Sequence, residues 1–164
     1  MNLVPIKDYE NLYSLDLNTN QVYGHKYKKY RKPKPHKDGY YQFDLCKNGK
    51  AKNFLLHRLV YEAHNGSIPE GMCIDHINGI RTDNNIENLR LATNSQNMCN
   101  SKTPKNNLST GYKNITKTKW NTYLIQIKEN YKYIYCKTFK TLEEAILNRD
   151  IKLKEFHKEF YNLG

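Results

Sequence analysis

One segment of the sequence brings together residue types that can hydrolyse a phosphodiester bond. Asp75 and His76 are adjacent at the end of a short apolar run, and Asn97 follows further along the chain. A neutral imidazole can take a proton from water, and hard divalent cations prefer oxygen ligands such as carboxylates. We therefore expect His76 to be a general base and Asp75 and Asn97 to be metal ligands. Mg²⁺ is the expected ion, with Mn²⁺ as the alternative.

Two short strands and a helix are predicted to position these side chains. Residues 73–77 are apolar enough for a buried strand, and residues 89–92 predict a second strand after a polar loop. A short helix that carries Asn97 can then begin at one of three capping residues, namely Thr93, Asn94 or Ser95. The local order is therefore strand, loop, strand, helix.

The direction of the side chains sets a condition on this arrangement. Neighbouring residues of a strand point to opposite faces, so Asp75 and His76 reach one cleft only if the strand bends at its end. Asn88 lies just before the second strand, where its amide can hold the loop and orient His76. Each of these residues also has an ordinary interpretation, because an Asp-His pair is usually a surface feature and single asparagines often cap helices or lie in loops.

The combined pattern is more specific than its parts. The residues that form it are His57-Arg58, residues 74–79, 83–85 and 87–90, and residues 93–97. This pattern resembles the HNH endonucleases of the ββα-metal type, in their phage and mobile-element homing branch. The resemblance implies Asp75 and Asn97 as metal ligands, His76 as general base and Asn88 as the residue that fixes the loop. It also implies DNA cleavage to 5′-phosphate and 3′-hydroxyl ends.

Two residues of the pattern keep alternative roles. His57 lies in a predicted helix over residues 55–63 that ends at Asn65-Gly66, and its role is catalytic support or packing. Arg90 can contact a phosphate of the substrate or form a structural salt link. Both alternatives are compatible with the sequence.

The flanking regions resemble modules that position DNA. The N-terminal region is similar to a small nuclease-associated module at residues 6–10, Gly39-Tyr40 and Gly49-Lys50. The tryptophan that this module usually has just before the first of these positions is missing here. Residues 109–158 resemble the DNA-binding domain of plant ethylene-response factors, in which a three-stranded sheet enters the major groove in front of a helix. Three strand-like runs over residues 112–116, 120–128 and 131–139 are predicted to form this sheet, with Glu129-Asn130 as a tight-turn candidate between the last two. Thr141 and Glu144 form a capping box at the start of the predicted helix.

Basic residues favour a nucleic-acid partner. The chain has 164 residues and a formal net charge of +11, and residues 26–37 hold seven cations without an acid. Clustered cations gain from counterion release on DNA, although a solvated loop is the ordinary alternative. Trp120 either contacts DNA or packs in the core. The predicted DNA contacts are Lys28, Lys29, Arg31, Lys32, Lys34, Arg90, Lys113, Lys117, Lys119, Trp120, Tyr123 and Lys128.

The remaining features exclude other classes of protein. The four cysteines form no C-x-x-C pair, so no zinc site is expected. No stretch approaches the ~18 apolar residues of a membrane span, and the N-terminus lacks a signal-peptide pattern, so we expect a cytoplasmic protein. No small-molecule cofactor is expected. The sequence leaves the choice between monomer and homodimer open.

We therefore predict an α+β protein in three parts. A β-rich module with a basic loop covers residues 1–54, in which Asn48-Gly49 between two strand-like runs predicts a hairpin. A ββα-metal nuclease unit covers residues 55–100. A linker over residues 101–108 precedes a three-stranded antiparallel sheet packed on one helix, over residues 109–164. The expected function is site-specific, metal-dependent cleavage of double-stranded DNA. The alternatives are a non-catalytic DNA-binding regulator with a vestigial centre and an RNA-binding or RNA-cleaving protein.

Overall fold

The structure is a computed structural model that describes residues 1–101 and 109–161. The predicted linker lies almost entirely outside the described residues. The chain divides into two compact units, Met1–Leu91 and Ala92–Gly164. None of the helices in the described ranges is long and apolar enough to cross a bilayer.

The first unit begins with two small antiparallel sheets. The first sheet has the order β1-β2-β3-β4, with strands Leu3–Pro5, Tyr13–Asp16, Gln21–Gly24 and Lys29–Arg31. The second has the order β5-β6-β7, with strands Lys34–Pro35, Tyr41–Lys47 and Lys50–Leu55. Asn48 and Gly49 join β6 to β7 with φ of 52° and 75°. Positive φ at both turn residues is the conformation that favours Asn-Gly in hairpins.

The sequence predicted a basic loop over residues 26–37, but two parts of this stretch are strands. Lys29 and Arg31 lie on β4, and Lys34 lies on β5, in a different sheet. Tyr30 alternates with these cations, and its hydroxyl donates a hydrogen bond to the buried Asp16 carboxylate. On this strand Lys29 is exposed, whereas Tyr30 and Arg31 are both half-buried, a distribution that a charge count alone does not reveal.

A helix and a two-stranded sheet complete the first unit. Helix α1 (Leu56–Asn65) follows β7 directly and ends at Gly66, whose φ of 83° suits glycine. Strand β8 (Met72–His76) pairs with β9 (Leu89–Thr93), and a short 3-10 helix, Ile86–Asn88, precedes β9. These bounds agree with the predicted helix and strands to within one or two residues.

The first unit has one hydrophobic core that includes both its N-terminal sheets and the nuclease-like segment. Val22 and Leu45 of the sheets belong to the same buried cluster as Leu59 of α1 and Ile74 of β8. Full burial of such a side chain contributes about 1.5–3 kcal/mol. The N-terminal strands and α1 therefore stabilise one another, and the three-part division of the chain stays a prediction.

The second unit contains a sheet of order β10-β11-β12, with strands Ile115–Lys117, Tyr123–Glu129 and Lys132–Phe139. Helix α3 (Leu142–His157) buries Ala145 and Leu153 against the sheet, and a 3-10 helix, Lys158–Phe160, follows. Thr141 and Glu144 form the predicted capping box. Helix α2 (Asn94–Asn100) begins with a second box, between Thr93 and Gln96.

Two strands of this unit begin later than the sequence predicted. Residues 112–114 and 120–122 were expected to be extended, but Asn114 and Asn121 have φ of 65° and 59° and lie in turns. The turn between β11 and β12 is centred on Asn130 and Tyr131, with φ of 47° and 65°, rather than on Glu129 and Asn130. Asparagine tolerates this left-handed region, which explains where the turns form.

Candidate active site

Strand β8 delivers its two polar residues into the interior of the first unit. Asp75 is 4% exposed and His76 is 5% exposed. Both polar side chains follow Ile74, which belongs to the hydrophobic core. Their burial at the end of a strand supplies the low-dielectric setting in which a base or a metal ligand acts.

Asn88 holds the loop that follows His76. Its side-chain oxygen accepts a hydrogen bond from the Asn78 backbone N–H at 3.0 Å, and its Nδ2 donates to the Asp83 carbonyl at 2.8 Å. The Asn88 carbonyl also accepts from the Ile77 N–H at 2.9 Å. Three hydrogen bonds from one residue therefore connect both ends of the loop, as its predicted role requires. A catalytic role of Asn88 stays a prediction.

Arg90 neutralises the Asp75 carboxylate. Its Nε donates to Asp75 Oδ2 at 2.8 Å, and its Nη2 lies 2.8 Å from the same oxygen. Of the two alternatives that the sequence left open for Arg90, this geometry favours the structural salt link over a DNA contact. Because a carboxylate offers about four acceptor positions on two oxygens, one arginine does not exhaust its capacity to bind a cation.

Three aromatic rings meet beside the strand end. The His76 ring lies 5.1 Å from the His57 ring in an edge-on arrangement, and 5.8 Å from the Tyr40 ring. Tyr40 also contacts His57 at 4.9 Å, and the Arg81 guanidinium covers the Tyr40 ring at 5.1 Å. Tyr40 and Arg81 were not predicted as site residues. Tyr40 is far from His76 in the sequence, and Arg81 lies in a loop without periodicity. The sequence analysis noted Tyr40 only as part of the Gly39-Tyr40 match to the nuclease-associated module.

The two histidines are held in their neutral form. Burial lowers the pKa of His76, an effect that the Asn84 side chain and the Asp75 charge partly oppose. Burial lowers the pKa of His57 to about 3, and the electrostatic effects of the nearby His76 and Arg58 act in the same direction. A neutral imidazole at pH 7 can accept a proton from water, which is the property that a general base requires.

Asn84 contacts His76 directly, a contact that sequence reasoning missed. Its side chain is 7% exposed, and its Oδ1 lies 3.4 Å from His76 Nε2. Its Nδ2 donates to the Thr82 carbonyl at 2.9 Å, and its backbone carbonyl accepts from Asn20 Nδ2 at 3.2 Å. The motif around residues 83–85 was noted for its resemblance, but no role was given to Asn84.

The oxygen donors present suit a hard divalent cation. Asp75 provides a carboxylate at the end of β8, whereas Asn97 lies on α2 in the second unit, so its part in the site stays a prediction. Across residues 1–101 and 109–161, no group of three or more His, Cys, Asp or Glu side chains could hold a metal. Mg²⁺ does not need such a group, because it keeps several waters and is often bound by one or two carboxylates and substrate phosphate.

The predicted DNA contacts of the first unit are mostly solvent-accessible cations. Lys28, Lys29, Lys32 and Lys34 are exposed, and Arg31 is half-buried with its guanidinium 5.5 Å from the Tyr13 ring. Lys34 pairs with Asp44 at 2.6 Å on the surface. The first three lysines therefore present charge to solvent, as a phosphate contact requires.

The predicted contacts of the second unit divide into two groups. Lys117, Lys119 and Lys128 are exposed, and Trp120 is 74% exposed with the Lys119 ammonium 4.6 Å from its ring. Trp120 is therefore not a core residue. Tyr123, in contrast, packs against the hydrophobic core on the side of the sheet that faces α3.

Lys113 also differs from the first group. Its ammonium donates to the carbonyls of Met98, Cys99 and Ser101 at 3.1, 2.6 and 2.7 Å, at the end of α2. Burial lowers the pKa of Lys113. This geometry favours a structural cap over a DNA contact, because the last carbonyls of a helix lack intrahelical partners.

Comparisons with known proteins identify the same segment. Residues 54–99 match the sequence model of the HNH endonuclease family. The chain is 38% identical over 112 residues to DNA endonuclease I-HmuI of Bacillus phage SP01, an alignment that covers 68% of this chain and 60% of the relative. It is 48% identical over 63 residues to Protein 3.8 of Escherichia phage T7, covering 38% and 51% of the two chains. The chain thus spans only about half to three-fifths of these relatives.

A solved structure also resembles the fold. It is described as DNA binding and cleavage by the HNH homing endonuclease I-HmuI, and its TM-score to this chain is 0.56 at 27% identity. The match covers 96% of this chain and 92% of the other. The α+β class predicted from the sequence is confirmed, as is the resemblance of the central segment.

Proposed function

The chain belongs to the HNH endonuclease family through residues 54–99, and from this premise we propose that it is a site-specific, metal-dependent DNA endonuclease of the homing type. The observation that carries the proposal is the burial of Asp75 and His76 side by side at the end of β8, with the His76 pKa lowered. The DNA endonuclease and HNH homing endonuclease among its relatives support the same activity.

His76 is the proposed general base. Its neutral ring takes a proton from a water molecule, and the resulting hydroxide attacks the phosphorus of the scissile phosphodiester. The bond between phosphorus and the 3′-oxygen breaks, which leaves a 5′-phosphate and a 3′-hydroxyl once that oxygen is protonated. Asn88 keeps the loop after His76 closed through its three hydrogen bonds.

Asp75 and Asn97 are the proposed ligands of a divalent cation, with Mg²⁺ as the first choice and Mn²⁺ as the second. When bound, such an ion supplies positive charge that stabilises the phosphate and the leaving oxygen. Arg90 balances the buried Asp75 carboxylate at 2.8 Å. The assignment of Asn97 rests on the sequence pattern.

Double-stranded DNA is the proposed partner. The net charge of +11 favours a polyanion, and the exposed cations on and beside β4 and near Trp120 are the proposed phosphate contacts. Contacts of this kind give affinity that is independent of sequence and falls with salt. They lie apart in sequence from His76, so binding and cleavage should be separable by mutation.

The test uses supercoiled plasmids with random inserts, incubated with the full chain in Mg²⁺, with chelator, or without metal. We expect cleavage in Mg²⁺ only, at a recurrent sequence, with 5′-phosphate ends on sequencing of the products. His76→Ala should lower the cleavage rate about 10²–10⁴-fold, the usual contribution of a general base, while DNA affinity is kept. The matched control is His64→Ala, at an exposed position near the end of α1.

Two results would contradict the proposal. Cleavage by His76→Ala at the parental rate would exclude His76 as the base. Retained DNA binding without any cleavage in Mg²⁺ or Mn²⁺ would favour the DNA-binding regulator with a vestigial centre.

A further inference from the structure

Helix α2, which carries the proposed metal ligand Asn97, is too short to be stable by itself. It has seven residues, Asn94–Asn100, whereas isolated helices shorter than about 12–15 residues are marginal in water. Its geometry must therefore come from contacts with the rest of the second unit. Those contacts decide where the side-chain amide of Asn97 lies.

The first turn of α2 is fixed in two ways. The capping box joins Thr93 and Gln96 through two hydrogen bonds of 2.8 and 3.2 Å. In addition, the Ser95 hydroxyl oxygen accepts a hydrogen bond from the Asn130 backbone N–H at 3.0 Å. Asn130 lies in the turn between β11 and β12, which it closes together with Tyr131 at φ of 47° and 65°. The start of α2 is therefore attached to the sheet of its own unit.

The last turn of α2 is fixed by Lys113. The final carbonyls of a helix have no partner within the helix. The Lys113 ammonium donates to the carbonyls of Met98 and Cys99 at 3.1 and 2.6 Å, and to that of Ser101, just after the helix, at 2.7 Å. Lys113 is in turn attached to α3, because its own carbonyl accepts a hydrogen bond from Nη1 of Arg149 at 3.2 Å. The end of α2 is therefore linked to α3 through this one lysine.

Asn97 lies between these two attachments. A helix has 3.6 residues per turn, so Asn97 is less than one turn from both Ser95 and Met98. A movement of the helix that displaced Asn97 would therefore strain the hydrogen bonds at both ends. Mg²⁺ tolerates little displacement of a ligand, because it requires near-octahedral geometry at about 2.0–2.1 Å.

We propose that Lys113 and Ser95 are positioning residues, which fix α2 to the sheet and to α3 and so place the Asn97 amide oxygen for a divalent cation. The inference rests on the proposed function, because it takes Asn97 as a metal ligand. It adds that residues of the second unit, remote in sequence from the family segment, control the affinity for the ion.

The direct measurement is the affinity of the full chain for Mn²⁺, obtained without DNA from the electron paramagnetic resonance signal of the free ion. Lys113→Met and Ser95→Ala each remove one attachment of α2. We expect Lys113→Met to weaken Mn²⁺ binding at least ~10-fold, the usual effect of losing a residue that orients a metal ligand. Ser95→Ala should weaken it less, since the capping box still holds that end of the helix. Ser95→Thr keeps the hydroxyl oxygen and should bind Mn²⁺ as the parent does.

A double-mutant cycle tests whether these effects pass through Asn97, because it isolates the coupling between two residues. Asn97→Ala should itself weaken Mn²⁺ binding at least ~10-fold, and the addition of Lys113→Met should cause no further loss. The control is Thr141→Ala, which removes the hydroxyl that caps α3 at Glu144 and destabilises the same unit. Its Mn²⁺ affinity should equal that of the parent.

Three results would overturn the proposal and leave Lys113 as a cap of α2 alone. They are an unchanged Mn²⁺ affinity in Lys113→Met, an equal loss when Asn97 is already alanine, and the same loss in Thr141→Ala. If Asn97→Ala leaves Mn²⁺ binding unchanged, Asn97 is not a ligand, and the inference falls together with that part of the proposed function. If the affinities follow the expected pattern but the chain cleaves no DNA, the positioning stands and the endonuclease function fails.

Discussion

The two compact units both bury polar side chains, but they satisfy them differently. In the second unit, Arg149 is 2% exposed, and its guanidinium is bonded to Asp150 and to the Lys113 carbonyl. In the first unit, His57 is 6% exposed, and its Nδ1 has no hydrogen-bond partner within the part of the chain that the structure describes. Partners thus offset the cost of burial in the first example, whereas burial without a partner lowers the pKa of His57 to about 3 in the second.

This difference concerns whether a buried polar side chain has hydrogen-bond partners. A buried polar group with its partners in place adds to stability, whereas one that lacks a partner costs free energy and is often found at a functional site. In these two examples the second unit pairs its buried charge, whereas the first unit leaves a buried imidazole nitrogen without a hydrogen-bond partner among the described residues. The following predictions test that contrast.

The largest effect is expected for Arg90→Met in the first unit. The substitution leaves the Asp75 carboxylate, which is 4% exposed, without the arginine that balances it. We expect a loss of about 3–5 kcal/mol in the free energy of unfolding, measured by urea denaturation. The double variant Asp75→Asn with Arg90→Met should recover much of the loss. A single variant as stable as the parent would show that Asp75 does not depend on this pair.

Arg149→Met is the corresponding change in the second unit, and it should cost less. Asp150 is 28% exposed at its side chain and can turn to water, whereas the hydrogen bond to the Lys113 carbonyl and the contact with the Tyr112 ring are lost. We expect a loss of about 1–3 kcal/mol in urea denaturation. Lys152→Met on the same helix removes only a partly exposed pair with Glu155 and is the control. A larger loss than for Arg90→Met would reverse the contrast between the units.

The larger part of the pH dependence of stability should come from the first unit, because burial lowers the pKa of both His57 and His76 there, and of His157 in the second unit. His57 has a pKa near 3 when folded, below the value of 6.5 expected when unfolded, so the unfolded chain binds the proton more tightly. Its contribution is complete above pH 6.5 and is lost as the pH falls toward 3, by up to about 1.4 kcal/mol per pH unit. His57→Phe should flatten this slope in urea denaturation between pH 7 and 4. An unchanged slope would assign the acid sensitivity to other groups, such as His76.

The smallest effect concerns the cap of α2. Lys113→Met removes the ammonium from three carbonyls and should cost about 1 kcal/mol in the free energy of unfolding, with little change in DNA affinity. Lys117→Met, at an exposed position on β10, should give the opposite pattern, with affinity reduced and stability unchanged. If both variants lost DNA affinity equally in a filter-binding assay, Lys113 would be a DNA contact after all.

The sequence predicted most of what depends on local signals. The hairpin at Asn48-Gly49, the end of α1 at Gly66 and the capping box at Thr141 follow from preferences of a few neighbouring residues. Local chemistry was sufficient for these features. The pair Asp75-His76 was singled out differently, because the whole pattern from His57 to Asn97 resembles a known family, and its role stays a prediction.

The surroundings of His76 could not be predicted from the sequence. Tyr40 and Asn84 contact its ring from a separate sheet and from a loop. No periodicity marks such residues, since their position depends on how the strands pack. The same holds for Lys113, whose charge suggested DNA until the structure placed it on the carbonyls of α2. Charge and type identify candidates, and packing decides between their roles.

The shared core of the first unit bears on how a segment of the HNH family can pass between proteins. The family segment begins at residue 54, yet Leu59 and Ile74 within it pack in one cluster with Val22 and Leu45 outside it. A segment of that size is marginal as an independent folding unit. Recombination that transferred residues 54–99 alone would carry the reactive residues without the strands that keep them folded. The matched family segment is thus smaller than the folding unit, and we expect the N-terminal strands to be needed for residues 54–99 to stay folded.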